Sequence, residues 1–210
     1  MDAHLRAGVA VYNAGGHHAA HDAWEDRWLA LEAGTEDERF LHGLIQFTAA
    51  VHHAHDANWT GARGLAESGA GYLDGLPADY RGLNVGPVRD YLRSVAADPE
   101  HVERAAPPAL TYEGRALGLG DLDDPAVRVA AVVLAEAGDA YDEAVVERAV
   151  AFADEAVEAG VEPTADDRFA ALLADFVADP DRRQLVYERL AGHVEREAAK
   201  RADVDGLFDP

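Results

Sequence analysis

A run of sixteen residues without a charged side chain, residues 40–55, constrains the fold of this chain more than any other feature. Charged residues make up 28% of the sequence, so a helix of this length in contact with water would carry several of them. The run is therefore predicted to be a helix that is enclosed on most sides. At ~100° per residue it has two faces. One face is apolar and the other is polar or small: the first carries Phe40, Leu44, Phe47, Thr48 and Val51, the second His42, Gln46, Ala49 and His53.

Local start and stop signals divide the rest of the chain into further helices. Gly34 ends one helix, and the following T-E-D-E at residues 35–38 has the pattern of a capping box. Asp124 followed by Pro125 is a typical helix start. Such signals predict helices at about 4–13, 17–33, 35–57, 59–73, from 124 onward, 139–159, 164–178 and 180–202.

These helices predict an all-α protein. Residues 1–76 are expected to form a compact bundle of about four helices. Residues 77–124 are rich in Pro and Gly and are expected to form a loop-rich connector. Residues 125–210 are expected to form a second helical array, because Ala, Val and Leu recur there at helical spacing.

The composition excludes several kinds of chemistry. Cysteine is absent, so disulfides, thiolate metal sites and cysteine nucleophiles are excluded, and a metal ion would need His and carboxylate ligands. Forty acidic residues against eighteen basic ones give a formal charge of -22, which is typical of a salt-loving host, here predicted to be an archaeon. The same charge argues against nucleic acid as a partner. We find neither a signal sequence nor the ~20 apolar residues of a membrane span, and we expect a cytoplasmic protein.

The helix before the uncharged run supplies possible partners for its polar face. His21, Glu25 and Trp28 lie on one stripe of that helix. A short turn at Gly34 makes the two helices antiparallel neighbours. We therefore expect His21 and Glu25 to face residues 46 and 53 of the uncharged run across this hairpin.

Two interpretations of this cluster stay open. In the functional interpretation, His21, Glu25 and His53 bind a divalent metal ion or form an acid–base pocket. The protein would then bind a metal ion or a small ligand, and one activity open to it is that of a hydrolase. In the structural one, the cluster is a buried polar network that fixes helix register. The protein would then be a non-enzymatic interaction or scaffold module, and in either case we expect a homodimer.

Other residues near the hairpin are weaker candidates for ligand contacts. Gln46 could complete the pocket, and Trp28 could stack on a ligand or pack in the core. Arg63 could bind an anionic substrate or pair with an acid on a neighbouring helix. Asn58 is a further candidate for a ligand contact, and its simplest role is to cap its helix. Of each adjacent pair, His17 with His18 and His52 with His53, only one member is expected to face the pocket.

Three blocks of sequence resemble a known family. They are Y-N-A-G-G-H-H-A-A-H-D-A-W-E-D-R-W at residues 12–28, G-L-I-Q at 43–46 with His53, and N-W-T-G-A-R at 58–63. In this order they resemble the domain-of-unknown-function family 309, over about residues 5–76. The resemblance implies a small all-helical fold and no particular activity. Asp22 stands where the family usually has Glu, and Ala57 where it usually has Gly.

Overall fold

The computed structural model describes residues 1–160 and 168–205 of the chain. Within them, α-helices predominate and β structure is limited to one small hairpin and two isolated bridges. The predicted all-α class is therefore confirmed. The chain divides into two compact units, Met1–Leu122 and Asp123–Pro210.

The first unit is built around one central helix. Its elements are α1 (Asp2–Asn13), α2 (His17–Leu29), α3 (Glu36–His55), α4 (Trp59–Leu73), α5 (Val85–Ala97), α6 (His101–Arg104), β1 (Thr111–Tyr112), β2 (Arg115–Ala116) and a 3-10 helix (Leu119–Asp121). Helix α3 packs against α2 and α4, while α1 packs on α2 and α5 on α4. The antiparallel pair of β1 and β2 matches Thr111 with Ala116.

The uncharged run lies in α3, and its enclosure is confirmed. Ten of its residues are buried: Phe40, Leu41, Gly43, Leu44, Ile45, Phe47, Thr48, Ala50, Val51 and Ala54. Close packing with α4 depends on Gly43, where a Cβ atom would fall 2.5 Å from the side chain of Leu73. His52 and His55 are exposed at the carboxyl end of the helix.

Side-chain caps fix the start of several helices close to the predicted positions. The Thr35 hydroxyl accepts a hydrogen bond from Glu38 N at 3.2 Å, and Asn58 Oδ1 accepts one from Gly61 N at 3.1 Å. Helix α2 ends at Leu29, four residues before the predicted end at 33, and Gly34 turns the chain with a φ of 83°.

The segment expected to be a connector, residues 77–124, is structured differently: up to Leu122 it belongs to the first unit. Helix α5 buries Val85, Val88 and Leu92. Asn13 of α1 holds the chain before and after the β hairpin, donating through Nδ2 to the carbonyls of Leu110 (2.9 Å) and Leu117 (3.0 Å). These contacts join residues about a hundred positions apart, so local Pro and Gly content did not reveal them.

The second unit contains α7 (Asp124–Glu136), α8 (Glu143–Glu158), α9 (Arg168–Ala178) and α10 (Arg183–Asp205). Helix α9 packs against the other three and buries Leu173, Phe176 and Val177. The predicted start of this helix at 164 lies outside the described residues. Among all helices in the described parts of the chain, none is long and apolar enough to cross a membrane.

Candidate functional site

A cavity of about 140 Å³ lies between α2 and α3. It is lined by His17, His18, His21, Thr48, Ala49, His52 and His53. Half of the chain's ten histidines therefore meet at one place, and the lining residues include no carboxylate although the chain has forty.

Carboxylates lie one helical turn beyond three of these histidines, where each approaches a ring nitrogen. The three pairs are His18 Nδ1 with Asp22 Oδ2 at 2.9 Å, His21 Nε2 with Glu25 Oε2 at 3.7 Å, and His52 Nε2 with Asp56 Oδ2 at 3.4 Å. The spacing of four residues places each pair on one helix face. A carboxylate in this position orients an imidazole and selects the nitrogen that carries its proton.

One group on α2 has the composition of a metal site. His21, Asp22 and Glu25 each offer one ligand atom, and the three atoms lie within 4.8 Å of one another. All three residues are half-buried. Nitrogen and carboxylate ligands suit zinc and similar divalent ions. Asp22 also accepts the hydrogen bond from His18, so that histidine orients one of the three candidate ligands.

His53 lies on the other side of the cavity, on α3. Its Nδ1 is 2.8 Å from Asn58 Nδ2, and the oxygen of the same amide caps α4. The structure thus places His21 and His53 around one cavity, with Glu25 beside His21, but His53 does not belong to the group of potential ligands on α2.

The other three candidate ligand contacts lie elsewhere. The Cβ atom of Gln46 faces α4, where a Cβ atom on Gly69 would be 3.0 Å away. Trp28 donates from Nε1 to Glu38 Oε1 at 2.8 Å and packs against His42 with ring centroids 4.5 Å apart. Arg63 is exposed in a separate open groove of about 510 Å³. The polar face of α3 is thus shared between two neighbouring helices, which a helical wheel cannot show.

Adjacent histidines behave differently from the prediction that only one of each pair faces the pocket. His17 and His18 both line the cavity, and so do His52 and His53. Neighbouring side chains on a helix diverge by ~100°, and a cavity that lies between two helices can be reached from both edges of each helix. Both members of each pair are therefore part of the cavity wall.

Burial changes the protonation of His17. Its pKa is lowered, first by burial and then by the nearby His55 and His52. Its ring packs against Tyr12 with centroids 5.1 Å apart. His17 therefore has a stronger preference for the neutral form than an exposed histidine has.

The fold and this cavity define an all-helical protein with a histidine-lined pocket in its first unit. Residues 5–65 match the family described as Domain of unknown function (DUF309), which supports the resemblance for this segment. The chain is also similar to an uncharacterised protein of Aquifex aeolicus (strain VF5), at 27% identity over 108 residues. The aligned part covers 51% of this chain and 31% of that protein, so the chain spans about a third of its relative.

Proposed function

We propose that the first unit binds a divalent transition-metal ion through His21, Asp22 and Glu25, at the edge of the cavity between α2 and α3. The observation that supports this proposal is the closeness of the three potential ligand atoms, all within 4.8 Å of one another. Modest side-chain rotations would bring them to the ~2.0–2.2 Å metal distances of zinc sites.

The chemistry of the surroundings fits such an ion. Two carboxylates and one imidazole balance the charge of a divalent cation, and the His18 hydrogen bond to Asp22 at 2.9 Å supplies the orienting contact common around metal ligands. Three protein ligands leave coordination positions open, and the adjoining cavity gives room for water or a small molecule. In its enzymatic form the proposal is a hydrolase, since metal-bound water is a nucleophile at neutral pH.

The alternative is a structural polar network in a non-enzymatic scaffold protein. The His18 to Asp22 bond favours it, because that contact is complete without an ion. The pair of His21 and Glu25 argues against a large structural role. Their side chains are 27% and 44% exposed, and ion pairs this exposed contribute little to stability.

Titration calorimetry with Zn²⁺, on untagged full-length protein purified without chelators, tests the proposal. We expect one ion per chain, and we expect His21→Ala and Glu25→Gln each to weaken binding about tenfold or more. His193→Ala, a substitution on α10, is the matched control and should bind as the unchanged protein does. Absence of binding, or equally tight binding by His21→Ala, would overturn the proposal.

Four expectations from the sequence accompany this proposal and stay predictions: a cytoplasmic location, a salt-loving archaeal host, a homodimer and no nucleic-acid partner. The relative named above is from a bacterium and does not bear on the host. Light scattering in multimolar salt measures the oligomeric state, and a monomer at high protein concentration would contradict the homodimer.

A further inference from the structure

We propose that the groove beside the first half of α4 binds a free basic amino acid, lysine or arginine, with Arg63 contacting its carboxylate and Glu67 and Glu100 contacting its two cationic groups. The groove has a volume of about 510 Å³ and shares no lining residue with the cavity between α2 and α3. This site is therefore additional to the proposed metal ion, and absence of zinc binding would leave it untouched.

Two segments of the first unit form the walls of the groove, one from α4 and one from the turn between α5 and α6. The lining residues are Trp59, Thr60, Arg63, Gly64, Glu67, Asp98, Pro99 and Glu100. Side chains four positions apart lie on the same face of a helix, so Trp59, Arg63 and Glu67 form a row along the groove. The ligand would lie along this row.

Arg63 is the cation that lines the groove. Within the described parts of the chain its guanidinium has neither an ion pair nor a hydrogen bond, although the sequence has forty acidic residues. The ion pair with an acid on a neighbouring helix, one of the two roles considered for Arg63, is thus not formed there. Its guanidinium is available to a carboxylate from outside the protein, which it can hold through two parallel hydrogen bonds.

The acidic side chains of the groove differ in their partners. Asp98 accepts hydrogen bonds from the guanidinium of Arg104 and, at 3.2 Å, from the backbone N–H of Glu100. The carboxylates of Glu67 and Glu100 have no partner among the residues that the structure describes. The groove therefore offers one unpaired guanidinium and two unpaired carboxylates.

This set of charges is the reverse of the set on a basic amino acid, which carries one carboxylate and two cations. Each charged group of such a ligand can meet a group of opposite sign. A simple anion would meet more carboxylates than cations, and a simple diamine would leave Arg63 unpaired. The charge pattern therefore favours a ligand that carries both signs.

Trp59 adds an aromatic surface to the groove. Its side chain is half-buried, and within the described residues its indole has no ring contact, no hydrogen bond and no cation over its face. Cationic side chains of lysine and arginine bind to the faces of indole rings. Trp59 and the buried Pro99 can also cover the aliphatic part of the ligand.

Titration calorimetry of the full-length protein with L-arginine and with agmatine tests the role of Arg63. Agmatine is arginine without its carboxylate, so it keeps both cations and lacks only the group assigned to Arg63. We expect one L-arginine per chain, bound about tenfold or more tightly than agmatine. In Arg63→Gln the two ligands should bind within about threefold of each other. Arg148→Gln removes the same charge at an exposed position of α8 and should keep the full preference.

Gly64→Leu tests the place of binding without disturbing the fold. Nothing lies within 4 Å of a Cβ atom on Gly64, so a leucine there fills the groove and meets no other part of the protein. Leucine also has a higher helix propensity than glycine, and α4 should not lose stability. We expect Gly64→Leu to abolish binding of L-arginine. Gly71→Leu, at an equally open position of α4 outside the groove, should bind as the unchanged protein does.

Three results would overturn this site. The first is the absence of saturable binding of L-arginine, and the second is a preference over agmatine that Arg63→Gln retains. The third is binding of L-arginine by Gly64→Leu as tight as by the unchanged protein, because the ligand would then lie elsewhere. L-glutamate is the control ligand: it should bind about tenfold more weakly than L-arginine, since its second carboxylate would face Glu67 and Glu100.

Discussion

The indole ring of Trp24 lies directly against the backbone of Gly8: a Cβ atom on Gly8 would fall 2.1 Å from the indole Nε1. Trp24 is fully buried, and its Nε1 donates to the carbonyl oxygen of Leu5 at 3.5 Å. Glycine at position 8 therefore allows α1 and α2 to approach each other. The position of α2, and of the histidines on it, depends on this contact.

Gly8→Ala is expected to lower the free energy of unfolding by about 1–3 kcal/mol or more, because the added methyl group forces the indole or α1 to move. Urea unfolding followed by tryptophan fluorescence measures the loss. The matched control is Gly71→Ala in α4, where nothing lies within 4 Å of a Cβ atom and the higher helix propensity of alanine should stabilise slightly. Equal stability of Gly8→Ala and the unchanged protein would contradict the packing described.

Asn13→Ala should separate the hairpin segment from α1. The Asn13 amide donates to Leu110 O and Leu117 O and accepts from Leu110 N, so its removal leaves three backbone groups without this partner. We expect a loss of about 2–3 kcal/mol in unfolding free energy. Hydrogen exchange should show faster exchange of Leu110 N–H, and unchanged exchange there would refute the role of Asn13. Asn84→Ala, which removes similar bonds to residues 109 and 111, is a useful comparison.

The sequence predicted best what local chemistry decides. The caps at Thr35 and Asn58 and the turn at Gly34 act within a few residues, so their patterns located the ends of α3 and the start of α4 closely. The enclosure of α3 followed in the same way from its lack of charge. The contact between Asn13 and Leu110 spans 97 positions and leaves no local pattern, which is why residues 77–122 were not predicted as part of the first unit.

The candidate site was predicted in part, for a similar reason. Residues on one face of a single helix, such as His21 and Glu25, are related by helical geometry alone. Whether a residue of α3 faces α2 or α4 depends on how the helices cross. Gln46 and His53 lie on the same wheel face, yet Gln46 packs on α4 and His53 lines the cavity next to α2.

The lowered pKa of His17 makes stability depend on pH in a defined direction. The unfolded chain binds a proton near the ordinary value of 6.5, whereas the folded chain binds it only at lower pH. The contribution of His17 to stability is therefore complete above pH 6.5 and is lost as the pH falls from there through the folded pKa. Urea unfolding should show that the free energy of unfolding falls less between pH 7.5 and pH 5 for His17→Gln than for the unchanged protein. A control variant, His101→Gln on α6, should retain the full loss, and an equal loss in all three proteins would contradict the assignment.

Arg128 tests, in the second unit, how much a largely buried ion pair contributes to stability. Its side chain is 11% exposed and pairs with Asp124 at 2.6 Å and with Asp154. Arg128→Met leaves two carboxylates without their cation, and we expect a loss of about 1–3 kcal/mol in thermal unfolding experiments. The exposed pair of Arg93 and Asp74 provides the control, since Arg93→Met should cost under about 1 kcal/mol. Similar losses for both variants would show that burial does not distinguish the two pairs.

Anomalous X-ray diffraction from zinc-soaked crystals shows whether His21, Asp22 and Glu25 hold a divalent ion. We expect one strong anomalous peak within ~2.3 Å of a side-chain atom of each of these three residues. No such peak is expected for crystals of His21→Ala grown and soaked in the same way. A map without density at this group, or with its main peak beside other residues, would rule out metal binding by these three side chains.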